Sequence, residues 1–332
     1  MDQAGSGDTP RYDVIGMGNA LVDVISHVDD GFLEAHGMVK GWMDLIDTDR
    51  AVTIYDALGA AVEMSGGSAA NTIVGVASFG GRGAYIGKVS ADELGDVFAH
   101  DLLAVGVQFH AGDRSNPDPT GRCLICVTPD AERTMNTYLG ASSLLSTSDV
   151  DLAAIADAQV LYMEGYLFDR PDAKAAFRAA AAVAHEAGRR VSLTLSDSFC
   201  VERHRDDFLA LVSDEVDLLF GNENELTALY ETETLDEAIA EARRHSPLVA
   251  CTVGARGSLV VTPDEVIMSP AVPVRRVIDT TGAGDLYAAG FLYGLTSGRG
   301  LADCAQLGAI AAAEVISHVG PRPLVELRTL LS

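Results

Sequence analysis

The chain has 332 residues, 48% of them hydrophobic and 33 of them glycine, enough to bury a substantial core in one large α/β domain or two smaller ones. Its 48 acidic residues against 23 basic ones leave a formal net charge of −25, which argues against nucleic acid or an acidic membrane surface as the main partner. No apolar run reaches the ~18–20 residues of a membrane span, and the polar Met1–Arg11 leader has no signal-peptide pattern, so a cytoplasmic protein is expected. Five cysteines, an odd number, fit reduced thiols. Cys123 and Cys126 form a CxxC, but they lie in a predicted strand whose alternation turns them to opposite faces, and no second pair completes a zinc site.

In chain order, Tyr12–Gly16 is a short apolar strand leading into Gly16-Met17-Gly18-Asn19-Ala20-Leu21. That turn is one residue short of a dinucleotide fingerprint, because Leu21 stands where a third glycine is expected. The following Leu21–Val28 alternates and reads as a second strand, whereas the fingerprint requires a helix there, so a Rossmann dehydrogenase is rejected. Asp23 sits within this apolar segment, either facing solvent or holding substrate hydroxyls.

Residues 29–62, with the only tryptophan at Trp42, read as an insertion carrying short strands. Ser65-Gly66-Gly67-Ser68-Ala69-Ala70-Asn71 then opens a helix through Ile73–Phe79 that ends at Gly80-Gly81. The small residues serve either tight helix packing or close approach of a ligand. A strand at Ala84–Gly87 and a helix at Glu93–Leu103 follow. Arg122–Thr128 and Thr134–Tyr138, joined through Pro129-Asp130-Ala131, form a predicted β-hairpin. This hairpin and residues 29–62 both interrupt the strand–helix alternation. They are expected to fold together as a small β lid (residues 29–62 and 107–139) over a core of residues 1–28, 63–106 and 140–332, all within one domain.

From residue 159 the alternation returns. Strands at Val160–Met163, Val191–Leu195, Leu218–Phe220 and Val249–Val253 are separated by helices at Ala173–Ala187, Asp206–Val212 and Leu235–Arg244. The pattern predicts a mainly parallel sheet covered by helices on both faces. Asn222-Glu223-Asn224-Glu225 lies at a strand's C-terminal end, where open α/β sheets collect ligands; it is either a helix cap or a set of oxygens suited to Mg²⁺, often through water. Thr252-Val253-Gly254-Ala255-Arg256-Gly257 is a glycine-bearing turn after a strand. His204-Arg205-Asp206 imitates a protein-kinase catalytic loop without its companion motifs and is taken as chance.

The stretch that organises the chain is Asp279-Thr280-Thr281-Gly282-Ala283-Gly284-Asp285. Val274–Ile278 before it alternates like the end of a strand, and residues 286–295 read as a helix, followed by an apolar helix at Ala302–Ser317. A glycine-rich turn thus delivers the chain into a helix N-terminus, where backbone N–H groups and the helix dipole attract an anion. A carboxylate there would repel phosphate. Asp285 is explained either as a helix cap or as a base that removes a proton from a hydroxyl while the amides hold charge on a transferred phosphoryl group.

Gly66-Gly67 with Asn71, and Asp279–Leu292, resemble in order and spacing the two signatures of the PfkB, or ribokinase-like, family of sugar and nucleoside kinases. The resemblance covers nearly the whole chain and implies a ribokinase-like three-layer α/β sandwich that binds ATP and Mg²⁺. It implies that Asp285 is the catalytic base and that the amides of Gly282, Ala283 and Gly284 form the anion hole. Asn222 and Glu225 match the family's NxxE motif, with Glu225 reaching Mg²⁺ through water, and Thr252, Gly254 and Gly257 match its nucleotide-binding turn. Asp23, Gly67 and Asn71 match positions that hold the acceptor's sugar hydroxyls, and the resemblance places Asn19, Gly66 and Ser68 beside them as acceptor contacts. Asp279 and Thr281 fall where some members bind a monovalent cation such as K⁺.

Within the family, Gly18-Asn19-Ala20-Leu21-Val22-Asp23 and Gly67-Ser68 look like adenosine kinases, ribokinases carrying a lysine where Ser68 stands. Arg133 sits where adenosine kinases place an arginine near the phosphates. Leu21 would flank a purine, with Tyr166 or Phe168 stacking on it. The resemblance therefore implies phosphorylation of a primary hydroxyl, adenosine to AMP first, with ribose, fructose or 2-keto-3-deoxygluconate as alternatives and a non-catalytic nucleotide-binding protein as the remaining rival. Monomer and homodimer stay open.

Overall fold

The computed structural model describes residues 9–130 and 132–331. The first eight residues of the leader and Ala131 of the expected hairpin turn lie outside the described residues. The chain begins with β1 (Tyr12–Met17), β2 (Leu21–His27), α1 (Asp30–Ala35), β3 (Met43–Leu45), α2 (Thr48–Ala57) and β4 (Ala61–Gly66). It continues through α3 (Ser68–Ser78), β5 (Gly83–Ile86), α4 (Glu93–Ala104), β6 (Gln108–His110), β7 (Gly121–Val127) and β8 (Arg133–Tyr138). Next come α5 (Leu152–Ala156), β9 (Ala158–Glu164), α6 (Pro171–Glu186), β10 (Arg190–Thr194), α7 (Ser198–Arg203) and α8 (Arg205–Asp214). The last part is β11 (Leu218–Asn222), α9 (Glu223–Tyr230), α10 (Leu235–His245), β12 (Val249–Thr252), β13 (Ser258–Val261), β14 (Val266–Ser269), α11 (Ala283–Thr296) and α12 (Leu301–Val315).

Nine strands form the main sheet in the order β14-β13-β12-β11-β10-β9-β1-β5-β6. Its pairings are parallel except at β12–β13 and β13–β14, an antiparallel edge absent from the sequence reading. Strands covered on both faces need apolar side chains on both. Ile15, Leu161 and Met163 accordingly enter the core that contains Phe177, Phe208 and Leu226, while Val14, Val160 and Tyr162 enter the one that contains Ile73, Leu286 and Phe291. The expected three-layer sandwich with its mainly parallel sheet is what the chain forms.

A second sheet runs β3-β8-β7-β2-β4, and the predicted hairpin β7–β8 lies at its heart, paired antiparallel. Its membership departs from the expected boundaries. β2, placed with the core by sequence, pairs in parallel with β7, and β6, placed in the lid piece, joins the edge of the main sheet beside β5. Residues 29–62 also hold two helices rather than strands alone, each started by an aspartate that caps its N-terminus: Asp29 accepts from Phe32 N–H and Asp47 from Arg50 N–H. Trp42 is 59% exposed. The strand expected at 274–278 is absent: Ile278 N–H bonds to the Ile316 carbonyl beyond α12, and Val277 and Ile278 are exposed. All five cysteines are free and buried. Among the described residues no helix is long and apolar enough to cross a membrane.

Candidate active site

Gly282 ends the glycine turn in the left-handed region, φ 78°, where a side chain is strained. A Cβ there would also lie 2.7 Å from Pro321 Cα. The turn is tied off by Asp279, whose carboxylate accepts Thr281 N–H at 2.9 Å, Thr281 Oγ1–H at 2.6 Å and Gly320 N–H at 3.0 Å, and forms an ion pair with the Arg133 guanidinium. Burial would raise the Asp279 pKa, but the bonds from Thr281 and Gly320, with Arg133, outweigh it and hold the carboxyl below its ordinary range. The carboxylate expected to face a monovalent cation is thus engaged by protein donors. Ala283 N–H is turned to the Thr280 carbonyl at 3.2 Å, so of the three amides expected to receive an anion this one has an internal acceptor.

Asp285 is the third residue of α11, and its carboxylate meets a second helix N-terminus. Ser68 Oγ–H donates to Oδ1 at 2.6 Å and Asn71 Nδ2–H to Oδ2 at 3.1 Å. Burial raises the Asp285 pKa, and these two bonds pull against that rise. α3 approaches closely because Gly75 faces Ala289 and Leu286 of α11; a Cβ at Gly75 would lie 2.5 Å from Ala289 Cβ. Small residues here serve helix packing and the carboxylate together. Gly67 caps α3 at φ 95°, and a Cβ on it would come within 2.3 Å of the Asn19 carbonyl.

Asp23, on β2, is only 8% exposed, which excludes the solvent-facing alternative. A Cβ at Gly66 would lie 2.6 Å from the Asp23 carboxylate, so a side chain there would have to displace that group. Burial pushes the Asp23 pKa up to about 6, moderated by Arg322 and Arg133. Leu21 is half-buried at the start of β2. Of the two aromatic candidates, Phe168 is buried and stacks on Phe208 at 4.2 Å in the core, whereas Tyr166 is exposed and donates its hydroxyl to the Ser196 carbonyl at 3.3 Å. Asn19 turns inward: its Nδ2–H donates to Glu164 Oε1 at 2.9 Å and its Oδ1 accepts from Ser142.

Beside the glycine turn, a cavity of about 540 Å³ is lined by Thr252, Gly254, Gly257, Val274, Ala312 and Tyr287 among others, none of them charged. Gly257 adopts φ 102°, and a Cβ there would lie 2.1 Å from the Ser269 carbonyl. A smaller cavity of about 80 Å³ shares Thr252, Gly284 and Tyr287 with it and reaches Ser68 and Asp285. Asn222 and Glu225 line this inner cavity and form a capping box. Asn222 Oδ1 accepts Glu225 N–H at 3.0 Å, and the Glu225 carboxylate accepts Asn222 N–H at 3.0 Å. The capping alternative is observed, and the same residues line the cavity. Burial lifts the Glu225 pKa to about 7.

Sequence reasoning missed three participants. Glu164, at the end of β9, accepts Ala69 N–H at 2.8 Å and so supplies the cap that Gly67 lacks for α3; burial lifts its pKa to about 7. Ser196 lines the inner cavity in a left-handed conformation, φ 72°, unusual for a non-glycine residue and typical of functional sites. Arg322 donates through Nε to Asn71 Oδ1 at 3.1 Å and through Nη1 to Ser65 Oγ at 2.7 Å. Its only sequence signal is a basic residue between two prolines after the last long helix.

A helix N-terminus that attracts an anion, a partly buried carboxylate beside it and an adjoining apolar pocket define a phosphotransferase with an alcohol group as acceptor. The model of the pfkB family carbohydrate kinases matches residues 41–327, and the chain belongs to this family. Among solved structures, the adenosine kinase from Sinorhizobium meliloti is 52% identical, with a TM-score of 0.88 over 96% of this chain and 98% of that one. A protein described as a probable sugar kinase from Rhizobium etli CFN 42 is 47% identical, with a TM-score of 0.89 over 97% of this chain and 98% of that one. Adenosine kinase 1 of Arabidopsis thaliana is 26% identical over 92% of this chain and 94% of its own length. The family resemblance, the motifs close to adenosine kinase and the kinase activity are therefore those of this protein.

Proposed function

We propose that the protein transfers the γ-phosphoryl group of ATP to the 5′-hydroxyl of adenosine, giving AMP and ADP. The observation that carries the chemistry is Asp285, held by Ser68 and Asn71 in the first turn of α11, where it lines the inner cavity that adjoins the apolar one. Adenine fits a cavity without charged residues, and the triphosphate would run past Gly284 toward Asp285. The acceptor hydroxyl gives its proton to Asp285 while its oxygen bonds to the γ-phosphorus. The bond from that phosphorus to the β,γ-bridging oxygen breaks, and ADP leaves with the electron pair. Gly282 and Gly284 would direct amides at the transferred group, Arg133 would lie near the phosphates, and Leu21 and Tyr166 would flank the acceptor's base. Gly66, Gly67 and Asp23 would hold its ribose.

Mg²⁺ fits the inner cavity by its donor set. Two carboxylates and no basic side chain line that space, so a triphosphate entering it needs a cation. Among the described residues no group of three His, Cys, Asp or Glu is arranged to cage a metal, which suits an ion held by Glu225 through water and by phosphate oxygens. When bound, it supplies neutralisation of phosphate charge. A monovalent cation near Thr281 would draw its oxygens from elsewhere in the turn, since Asp279 is engaged. The second sheet, carrying Asp23 and Arg133, would act as a lid that excludes water.

Support for adenosine comes from the similarity to the Sinorhizobium meliloti adenosine kinase and from Ser68 after the glycine pair. A sugar acceptor is the second reading, favoured by the comparable similarity to the Rhizobium etli protein. ADP release should be measured with adenosine, inosine, guanosine, ribose, fructose and 2-keto-3-deoxygluconate, wild type beside Asp285→Asn. Turnover with adenosine and a loss of about 10²–10⁴ in kcat for the variant are expected from general-base magnitudes. Turnover with a free sugar alone would replace the acceptor, and an unchanged kcat would remove Asp285 from the mechanism.

A further inference from the structure

The three residues Gly320, Pro321 and Arg322 touch the active site at three points. Gly320 N–H bonds to Asp279, Pro321 packs on Gly282, and Arg322 reaches across to α3 and β4. A carboxamide has two orientations, and its environment decides between them. Here both neighbours agree. Arg322 Nε–H only donates, so Oδ1 of Asn71 must face it; the ionised Asp285 only accepts, so Nδ2 must face that side. Without the guanidinium, the Asn71 amide keeps only its bond to Asp285, and its Oδ1 loses the donor that holds the plane of the group in place.

We infer that Arg322 is a positioning residue for phosphoryl transfer: its guanidinium fork, anchored on Ser65, fixes the Asn71 carboxamide and thereby the Asp285 carboxylate. The anchor is itself held, since Ser65 N–H donates to Asp101 Oδ2 at 2.8 Å. The carboxylates of Asp23 and Asp101 lie close enough to favour the charged guanidinium against the cost of its burial. A planar fork is required because two acceptors, on different elements, are bonded at once; a lysine ammonium is a point charge on a flexible stem. This inference rests on the proposed role of Asp285 as base.

The test is steady-state kinetics of the full-length protein with MgATP and the acceptor it turns over, for wild type and the variants D285N, R322Q, R322K, N71A and N71A/R322Q. R322Q should lower kcat about ten- to hundredfold, the scale of a misplaced reacting group, with KM for ATP within about twofold of wild type. In the N71A background, R322Q should cost nothing further in kcat, because the two residues act in series. R322K, which keeps the charge near Asp23, should also lose kcat; it is the variant to read if R322Q does not fold. Wild-type kcat in folded R322Q or R322K, or losses in the double variant equal to the sum of the single ones, would overturn the inference. If D285N is inactive and R322Q is not impaired, the catalytic reading stands and the positioning role falls. If D285N keeps wild-type kcat, the base assignment fails first and the inference with it.

Discussion

Ser68 entered the sequence reading as an acceptor contact, yet its hydroxyl bonds to Asp285 at 2.6 Å, and Ser68→Ala separates the two roles. A hydrogen bond to a charged group contributes about 1.5–3 kcal/mol, and ~1.4 kcal/mol corresponds to a factor of ten in an ionisation constant. Water will enter the vacated space, so the lower end applies and Asp285 should become roughly tenfold weaker as an acid. The sign follows from the two opposing influences: burial raises the pKa, and the Ser68 and Asn71 bonds lower it. Removing one of those bonds raises it further. Since the base works only as the carboxylate, the acidic limb of the kcat/KM profile should move toward neutral pH. The alkaline plateau should stay within a few-fold of wild type. Asp23, Glu164 and Glu225 are also raised by burial and each feels the charge of Asp285, so the displacement between the two curves reports Asp285 together with the carboxyls coupled to it. The assay is direct chromatographic quantification of ADP across pH, which avoids coupling enzymes. A limb that stays in place while KM for the acceptor rises would return Ser68 to the acceptor and refute the reasoning.

Ala312→Phe should fill the apolar cavity and raise KM for ATP about tenfold or more, with kcat at saturation largely kept; initial rates against ATP concentration check it, and an unchanged KM would move the nucleotide elsewhere. Stability should fall as pH rises through the window between 4.5 and about 7, because folded Glu164 and Glu225 keep a proton there that the unfolded chain has released. Melting temperatures from about pH 5 to 7.5 should show that decline, and Glu164→Gln should flatten it; equal slopes for the two proteins would refute the assignment.

Much of the catalytic turn was legible because its signal is local. Glycines at 282 and 284, a carboxylate at 285 and an apolar helix beyond them encode an anion-attracting helix terminus within a dozen residues. The partners of Asp285 were not legible as partners. Ser68 and Asn71 lie 217 and 214 residues away in sequence, and Arg322 lies 251 residues from Asn71. No period or composition in a single sequence reports such pairings. α1 and α2 escaped for a different reason: their buried faces are narrow, with Leu33 in one and Ala51 and Ile54 in the other, so periodicity is faint and the capping aspartates were the better evidence. The strand expected at 274–278 shows the converse error, an alternating pattern with no neighbouring strand to pair with.

The acidic composition appears at odds with a triphosphate donor, and the site shows how the two coexist. Neither donor-side cavity is lined by a basic side chain, and the inner one presents Glu225 and Asp285. The positive groups stand behind other residues instead, Arg133 against Asp279 and Arg322 against Asn71. Burial opposes ionisation of Glu225, so the cavity is less negative than a count of carboxylates suggests, and it raises the Asp285 pKa as well. A divalent cation entering with the triphosphate would offset part of the donor's negative charge, a part that no basic side chain of either cavity offsets. Burial raises both carboxyl groups and so eases their repulsion of an anionic donor, while the bonds from Ser68 and Asn71 pull Asp285 back toward the carboxylate that a base requires.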